Sequence, residues 1–442
     1  MAEGAFAPGH LGELTQFIPF EMVDAVLAET RKTQARVRDL PARVVVYLVL
    51  AGCLFTGRGY RQVWHRLVAG LGGLAVATPT AAALTKARQR LGAAPLRALF
   101  ELLRGPAATT RSMAGVWWRG LLVTAIDGTT MTVADTAANL GVFTKQAGGN
   151  GGSGYPLLRL LAVVCCGTRT VIDATFGSAL IGETTYAPPL LARSLRAGMI
   201  VLADRGFATH DIIAAVTGTG AHLLIRCKAN RKLPTLQRHS DGSYLSMWNQ
   251  TPIRVIEAEI TIATSNGART GTYRLITTLL DAGDYPALDL VKLYHQRWEI
   301  ETTYLAIKST ILGGQVLRAR TPEGITQEVY ALLITYQILR QAMTDATDTQ
   351  PGTDPDRASF TIALNAARDQ LVQAADVIAD NVINLVGHIG QLVLTNLLPP
   401  RRLRLGPRAV KRATSKYRAT QPHTNRTTYQ ATINIDIIAS PT

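Results

Sequence analysis

The sequence predicts an α/β protein with a helical N-terminal domain, a strand-rich insertion in its core and a basic C-terminal tail. Three observations lead to this prediction. Apolar residues recur at helical spacing up to about residue 104, and β-rich apolar runs then alternate with helical stretches from Leu121 onward. The last 42 residues carry nine Lys or Arg and one acidic residue, Asp436. With 442 residues, of which 47% are hydrophobic, the chain can bury a core without disulfides or a structural metal.

Residues 1–110 are predicted to form the helical N-terminal domain. The predicted helices span residues 21–36, 41–55, 60–71 and 79–103. Thr80 is expected to cap the last helix, on which Lys86, Arg88 and Arg90 form a basic stripe. Such a stripe is typical of a helix-turn-helix-like DNA-reading unit and also of a solvated helix face. Charge and spacing alone favour the solvated face.

Residues 111–345 are predicted to form the α/β core domain. Its first elements are strands over 121–126, 157–166 and 170–177, a helix over 184–196, a strand over 199–203, a helix over 209–217 and a strand over 221–227. Three antiparallel strands followed by two helix–strand units is the order of an RNase H-like sheet. In that order the first and fourth strands are neighbours.

Residues 230–285 are expected to form an inserted β subdomain. Apolar residues alternate with polar ones from Ile256 to Ile262, and Asn266 and Gly267 supply a hairpin turn. The rest of the chain is predicted as helices over 288–312 and 322–344, a linker over 346–356, helical structure over 358–397 and the tail over 401–442. The linker, these last helices and the tail make up the third region, residues 346–442.

The charge balance indicates a polyanionic partner. The net charge is +15 and the isoelectric point is near 9.9, which suits DNA, RNA or an anionic membrane. The longest uncharged apolar stretch, Val44–Phe55, is shorter than the roughly 20 residues that a spanning helix needs. Glu3 and Glu13 flank an N-terminus without the apolar region of a signal peptide. We therefore expect a cytoplasmic protein with no membrane partner.

The cysteines and the glycine-rich segment exclude further classes of protein. The four cysteines form no CxxC pair, and we expect reduced core thiols at Cys53, Cys165, Cys166 and Cys227. The segment 148–154 lacks the Gly-Lys-Ser/Thr of a P-loop, so nucleotide binding is not expected. Trp248 and Trp298 could stack on an extruded base, although core packing is the ordinary role of such residues.

Two aspartates end strands that should be neighbours. Asp127 ends the first strand of the core, and Asp204 ends the fourth, just before Arg205. Ligands of α/β sheets bind at the carboxyl ends of strands, so both carboxylates can share a divalent ion. Oxygen ligands suit Mg²⁺ or Mn²⁺. A single aspartate at a strand end is more often a cap or turn residue, but two in neighbouring strands favour a site.

A third acid lies in the helix predicted over 288–312. At about 100° per residue, four side chains fall within an arc of about 60°: Tyr294, Arg297, Glu301 and Lys308. Glu299 falls on the other side and is expected to be solvated. One alternative is an ordinary salt-bridged surface helix. The other is a metal site beside a phosphodiester, where Glu301 completes the ligands, Arg297 and Lys308 contact phosphates, and Tyr294 packs on or hydrogen-bonds to a strand.

These motifs resemble a known family. The spacing Tyr-x2-Arg-x3-Glu-x6-Lys resembles the signature helix of the insertion sequence 4 family of DDE transposases, and it fits at all four positions. Asp127 in Asp-Gly-Thr-Thr and Asp204 in Asp-Arg-Gly-Phe look like the first and second acids of that family's triad. The segments 148–159 and 407–412 are also similar to family segments. The resemblance covers most of the chain.

The resemblance implies cut-and-paste DNA transposition. Asp127, Asp204 and Glu301 would be the catalytic metal ligands, holding Mg²⁺ or Mn²⁺. DNA contacts are expected at Tyr294, Arg297, Lys308, Arg205, Arg408, Lys411 and Arg412. The implied partner is double-stranded DNA, both the terminal inverted repeats of the element and the target. Family members often act as homodimers on paired ends, here in the cytoplasm on the nucleoid.

Two other functions share parts of this pattern. A transposase-derived DNA-binding protein without catalytic activity would keep the basic segments and lose an acid, whereas all three acids are present. A metal-dependent nuclease that cuts without strand transfer would keep the whole triad. A strand-transfer assay separates that nuclease from a transposase.

Overall fold

The structure is a computed structural model of the chain. It describes residues 10–34, 39–69, 75–107, 115–145, 154–264, 267–350, 352–373, 387–399 and 432–438.

The N-terminal region is helical, as predicted. A 3₁₀ turn at Leu14–Gln16 precedes α1 (Phe20–Glu29), α2 (Ala42–Leu54), α3 (Tyr60–Leu67), α4 (Ala81–Leu91) and α5 (Ala94–Leu103). The single helix predicted over 79–103 is wrong, because Gly92 takes a φ of +70° and separates α4 from α5. Thr80 caps α4 as expected, with its hydroxyl accepting the amide of Ala83 at 3.1 Å. The apolar run from Val44 forms α2, which is buried along nearly its whole length.

One mixed sheet forms the centre of the molecule. Its strands are β1 (Trp117–Trp118), β2 (Leu121–Thr132), β3 (Leu157–Cys165), β4 (Val171–Ser178), β5 (Met199–Ala203), β6 (His222–Cys227), β7 (Gln237–Arg238), β8 (Tyr244–Trp248), β9 (Thr251–Thr264), β10 (Gly267–Thr277) and β11 (Thr432–Ile437). The order is β4-β3-β2-β5-β6-β10-β9-β8-β7, with β1 on β2 and β11 on β9. The first three core strands are antiparallel, and β2, β5 and β6 are parallel. The predicted pairing of the first and fourth core strands, β2 and β5, is confirmed.

The strands of the insertion extend the central sheet. They fall within the predicted segment 230–285, and β9 and β10 form the predicted hairpin, with Thr264 opposite Gly267. β10 also pairs antiparallel with β6, from Arg274 opposite Cys227 onward. The insertion therefore shares its hydrogen-bond ladder with the core and does not form a separate sheet.

Helices cover both faces of the core strands. They are α6 (Ala137–Leu140), α7 (Glu183–Ser194), α8 (His210–Thr217), α9 (Ala287–Tyr294), α10 (Glu299–Leu305), α11 (Pro322–Asp348), α12 (Phe360–Gln373) and α13 (His388–Thr395). Along β5, Val201 packs with α7 and α8, whereas Ile200 and Leu202 pack in the cluster that includes α11 and the N-terminal helices. Burial on both faces explains the continuous apolar sequence of the strand.

The helix predicted over 288–312 is divided into four parts. After α9 the chain makes a 3₁₀ turn at His295–Trp298, then α10, then a π-helical turn at Ala306–Ile311. The prediction of one regular helix is therefore wrong in detail. Such turns change the rise and rotation per residue, so the direction of each side chain must be taken from the contacts.

The C-terminal region differs in part from the predicted linker, helices and basic tail. α11 runs to Asp348, into the linker, and Pro355–Arg357 form a 3₁₀ turn. The helical span predicted over 358–397 contains α12 and α13, and residues 374–386 lie outside the described residues, as do Arg408, Lys411 and Arg412. β11 pairs antiparallel with β9, from Thr432 opposite Ala263 to Ile437 opposite Ala258. The end of the tail is thus part of the sheet.

Two further expectations concern the thiols and the membrane. All four cysteines are buried and free, which confirms the prediction of core thiols. Among the helices in the described ranges, none is long and apolar enough to cross a membrane.

Candidate active site

The site lies where β5 ends beside the middle of β2. The prediction that Asp127 ends its strand is wrong, because β2 runs on to Thr132 and keeps pairing with β3, with Asp127 opposite Ala162. The register of β2 and β5 places Ala125 opposite Leu202, and continuing it by two residues brings Asp127 level with Asp204. The prediction that these two aspartates are neighbours is therefore supported by the strand pairing. We call this place, where β5 ends beside Asp127, the carboxylate edge.

The surroundings of Asp127 disfavour its ionised form. Burial raises the pKa of its side chain to about 6, and the neighbouring carboxylates of Asp204 and Glu183 add to the rise. A hydrogen bond from the Gly128 amide, at 2.9 Å, and the positive charge of Arg297 oppose that rise. The opposing groups do not compensate fully, so the position favours an added positive charge.

Asp204 also acts as a cap. Its Oδ1 accepts the amide of Gly206 at 2.7 Å, at the start of the 3₁₀ turn Arg205–Phe207. The cap interpretation of a strand-end aspartate therefore holds for this residue. The capping bond uses one carboxylate oxygen, so it is compatible with a second role of the other oxygen at the sheet edge. Arg205 is exposed beside it.

Tyr294 and Arg297 connect the signature segment to these strands. The hydroxyl of Tyr294 donates to the carbonyl of Ala203 at 3.1 Å, one residue before Asp204, as predicted for this tyrosine. The guanidinium of Arg297 lies between two carboxylates, 3.9 Å from Asp127 and 3.7 Å from Glu301. Both separations exceed a hydrogen bond, so the three charges are held near one another without tight pairing.

Lys308 reaches the same strand from the π-helical turn. Its Nζ lies 3.1 Å from the hydroxyl of Thr129, two residues after Asp127 on β2. Tyr294, Arg297 and Lys308 therefore contact the end of β5 and the middle of β2, and Glu301 lies beside Arg297, although the helix between them is irregular. Their common direction, predicted from regular helical geometry, agrees with these contacts.

The 3₁₀ turn before α10 buries several polar atoms without partners. His295 Nε2, Gln296 Oε1 and Arg297 Nε are buried and have no hydrogen-bond partner in the part of the chain that the structure describes. Unsatisfied buried polar groups are rare in folded proteins, and they mark places where a ligand or water completes the bonding. This turn lies against the carboxylate edge.

Glu299 is the main correction to the predicted site. It points away from Glu301, as expected, but it is 7% exposed and therefore not solvated. Its carboxylate accepts Nε of Arg169 at 2.5 Å. The hairpin turn between β3 and β4 packs against the rear of α10 and supplies this partner, which helical periodicity cannot reveal.

Two residues of the site, Tyr304 and Glu183, were not predicted from the sequence. The Tyr304 hydroxyl donates to the carbonyl of Asp127 at 2.5 Å and accepts the amide of Ala162 at 3.1 Å, which ties α10 to the strand of Asp127. A Cβ atom at Gly128 would overlap the carboxylate of Glu183. Tyr304 lies three residues after Glu301, so the helical period contained a signal for it. Glu183 is brought in by α7, with no such signal.

A basic cavity beside Asp204 was not predicted either. It has a volume of about 550 Å³, and its lining includes Arg205, Arg226, Lys228 and Arg274. Glu257 also lines it and pairs with Arg274 at 2.6 Å, which leaves an excess of positive charge. The cavity lies at the carboxyl ends of β5 and β6, and its charge suits a polyanion.

Trp248 and Trp298 differ in their surroundings. Trp248 is 1% exposed, with the Arg231 guanidinium 3.5 Å above its ring, so core packing is confirmed. Trp298 is half-buried, with Arg297 at 5.3 Å from its ring centre. Base stacking by Trp298 stays a prediction.

The donor chemistry suits a hard cation. Asp127, Asp204 and Glu301 offer oxygen ligands, and the raised pKa of Asp127 indicates that a cation would be favourable there. However, within the described ranges no three His, Cys, Asp or Glu side chains stand close enough together to hold a metal ion. Arg297 lies between Asp127 and Glu301 in this arrangement.

Two family models and a curated relative match this chain. The family model "Insertion element 4 transposase N-terminal" matches residues 8–101, and "Transposase DDE domain" matches residues 118–338. The Escherichia coli K12 protein "Transposase InsG for insertion sequence element IS4" is 25% identical over 92% of this chain and 93% of its own length.

Two further proteins are similar to this chain. "Putative transposase InsZ" of the same organism is 27% identical over 47% of this chain and 68% of its own length. A solved piggyBac transposase synaptic complex with hairpin DNA has a TM-score of 0.45 at 9% identity, covering 92% of this chain and 90% of that chain. The two family matches and the near full-length relative show that this chain belongs to the insertion sequence 4 family of DDE transposases.

Proposed function

We propose that this transposase cuts an insertion element at its terminal inverted repeats and joins it to target DNA by metal-dependent phosphodiester hydrolysis and strand transfer. The observation that carries the proposal is the group of Asp127, Arg297 and Glu301 beside the end of β5. We further propose an RNase H-like core over residues 111–345, between a DNA-binding domain over 1–110 and a C-terminal region over 346–442.

The transposase DDE domain implies dependence on a divalent metal ion. We propose Mg²⁺ or Mn²⁺, held by Asp127, Asp204 and Glu301, because all three donors are carboxylates. When bound, a divalent ion lowers the pKa of water and stabilises the charge that develops on phosphate oxygens. The cost of keeping Asp127 charged in a buried position favours that binding.

The basic residues around the carboxylates would position the DNA. Among the described residues, the buried Nε of Arg297 has no hydrogen-bond partner and its guanidinium makes no tight ion pair, so this side chain suits a phosphate. Lys308 adds a second positive charge, near Thr129. Tyr294 holds the end of β5 through its hydrogen bond to the Ala203 carbonyl.

A wider DNA path would run through the basic cavity and the tail. Arg205, Arg226 and Lys228 line the cavity beside Asp204. Arg408, Lys411 and Arg412 would bind further phosphates from the basic segment, whose end is fixed by β11. We propose a homodimer on paired ends, acting in the cytoplasm on nucleoid DNA.

Cleavage and joining of DNA that carries the element ends test the proposed function. We expect cutting with Mg²⁺ or Mn²⁺, none with EDTA, and joined products when target DNA is added. Cutting without joining would instead identify a nuclease, and binding without cutting would identify an inactive DNA-binding protein. Cutting at full rate in EDTA would contradict the metal mechanism. The Glu301→Gln variant serves as the negative control.

Charge removal in the tail tests the DNA path. Neutralising Arg408, Lys411 and Arg412 together should weaken end binding and flatten its salt dependence, by roughly 0.9 in log–log slope for each phosphate that the protein no longer neutralises. These substitutions keep β11, whereas a deletion of residues 401–442 would also remove a strand of the sheet. An unchanged slope would show that these three residues do not bind phosphates.

A further inference from the structure

A buried charge network lies behind α10, on the side away from the carboxylate edge. Arg169, in the turn between β3 and β4, is its centre. The side chain of Arg169 is 5% exposed, and its guanidinium contacts the carboxylates of Glu299 and Asp356. Three charged groups from three separate segments thus meet here, and two of them, Arg169 and Glu299, are buried.

The backbone conformation of Arg169 indicates that its side chain has a role in this turn. Its φ of +59° lies in the left-handed region, which is unfavourable for a residue with a side chain. Glycine would fit this turn without strain. The presence of arginine indicates that the turn serves to deliver the guanidinium.

Hydrogen bonds extend the network along α10. The Tyr336 hydroxyl, from α11, lies 2.7 Å from the Arg169 carbonyl oxygen and 3.1 Å from the Thr303 hydroxyl. Arg340 donates to the same Tyr336 oxygen at 3.1 Å. Both Glu299 and Thr303, one turn apart on α10, are therefore held by neighbours.

The helix needs this support because it is short. α10 has seven residues and lies between a 3₁₀ turn and a π-helical turn, so its orientation cannot follow from a long regular helix. Glu299 and Glu301 are separated by about 200° around it. Fixing Glu299 therefore fixes the direction in which Glu301 points.

We infer that Arg169 is a positioning residue for the metal site, acting through Glu299 to hold Glu301 at the carboxylate edge. The inference rests on the proposed function, in which Glu301 is a metal ligand. Groups that orient metal ligands typically affect metal affinity or activity by about 10- to 100-fold when they are removed.

The test measures DNA cleavage by the full chain across a range of Mg²⁺ concentrations. For Arg169→Lys, which keeps the charge and loses the two-pronged geometry, we expect the half-maximal Mg²⁺ concentration to rise by about tenfold. End binding in a gel-shift assay should be unchanged. A wild-type Mg²⁺ response in this variant would overturn the inference.

A double variant separates positioning from stability. Arg169→Met with Glu299→Met removes both charges and leaves apolar side chains, which often restores the stability of a buried pair. A positioning role predicts that this variant melts near the wild-type temperature and still needs more Mg²⁺. Recovery of the wild-type Mg²⁺ response would show that the pair serves folding alone, and would overturn the inference.

A matched control breaks a comparable pair away from α10. Arg318 contacts Glu328, which is 5% exposed, at 3.3 Å. Arg318→Met should lower the melting temperature without changing the Mg²⁺ response; an equal shift of that response would contradict the inference. Absence of metal-dependent cleavage in the wild-type protein would instead contradict the proposed function, so the two failures are distinguishable.

Discussion

The two glutamates on opposite sides of α10 differ in how tightly each is paired with an arginine. On one side, Glu301 lies 3.7 Å from Arg297, which is itself 3.9 Å from Asp127. On the other side, Glu299 binds Arg169 at 2.5 Å and is buried. The first group is close without being tightly paired, and the second is paired tightly.

This difference separates the proposed metal site from a structural ion pair. A tight buried pair satisfies both charges and leaves no capacity to bind another ion. The loose group leaves the guanidinium Nε of Arg297 without a hydrogen-bond partner among the described residues, and it holds an aspartate whose pKa is raised to about 6. Incomplete satisfaction favours a metal ion and a phosphate when they arrive.

The largest expected effect comes from Glu301→Gln. The amide has nearly the shape of the carboxylate but no charge, so metal binding should fail and DNA cleavage should fall by about a thousandfold or more. End binding in a gel shift should persist, since the fold is unchanged. Retention of near wild-type cleavage would remove Glu301 from the proposed ligands.

The next largest effect concerns stability, from Glu299→Gln. The change leaves the Arg169 guanidinium with a weaker set of partners in a buried position, and unfolding in urea should show a loss of about 2–4 kcal/mol. Glu301→Gln, at a partly exposed position on the same helix, is the control and should lose much less. Equal stability losses in the two variants would contradict the contrast between the two sides.

A gain in stability is expected from Asp127→Asn in the absence of divalent ions. The folded pKa of about 6 lies above the ordinary 3.8, so the stability that protonated Asp127 contributes is present below about pH 4 and lost as the pH rises through 6. At about 1.4 kcal/mol per pKa unit, the variant should exceed the wild type by about 1–3 kcal/mol at pH 7.

The pH dependence supplies the check on that gain. The stability difference between Asp127→Asn and the wild type should be small near pH 4 and grow up to about pH 6. If the stability difference is constant with pH, or if the variant is less stable at pH 7, then burial does not disfavour the ionised form of Asp127. The same variant should be inactive in DNA cleavage.

The smallest effect is expected from Lys308→Ala. Its Nζ contacts a threonine hydroxyl, so its removal should weaken phosphate positioning and slow cleavage by roughly tenfold, about 1.4 kcal/mol of activation free energy. Lys308→Arg should retain more activity than Lys308→Ala. A loss as large as that of Glu301→Gln would place Lys308 in the chemical step itself.

Local sequence rules predicted the strands of the site and the direction of its signature residues. Asp127 and Asp204 follow apolar runs whose order made β2 and β5 neighbours, and the pairing agrees. The same rules failed at Gly92, where a left-handed residue divides a helix, and in the segment after Tyr294, where 3₁₀ and π turns replace regular helix. Tertiary packing determines such irregularities, and the spacing of apolar residues in the sequence does not predict them.

Local sequence patterns were enough for the α/β class, for the two aspartates on neighbouring strands and for the spacing typical of the family, because these depend on neighbours along one strand or one helix. Tertiary structure alone decided that Glu299 is buried, that Glu183 lies against Gly128 and that β11 joins β9. Each of these depends on a partner from a distant part of the chain. A residue's periodicity fixes the side it faces, but the group that meets it there is set by how the elements pack.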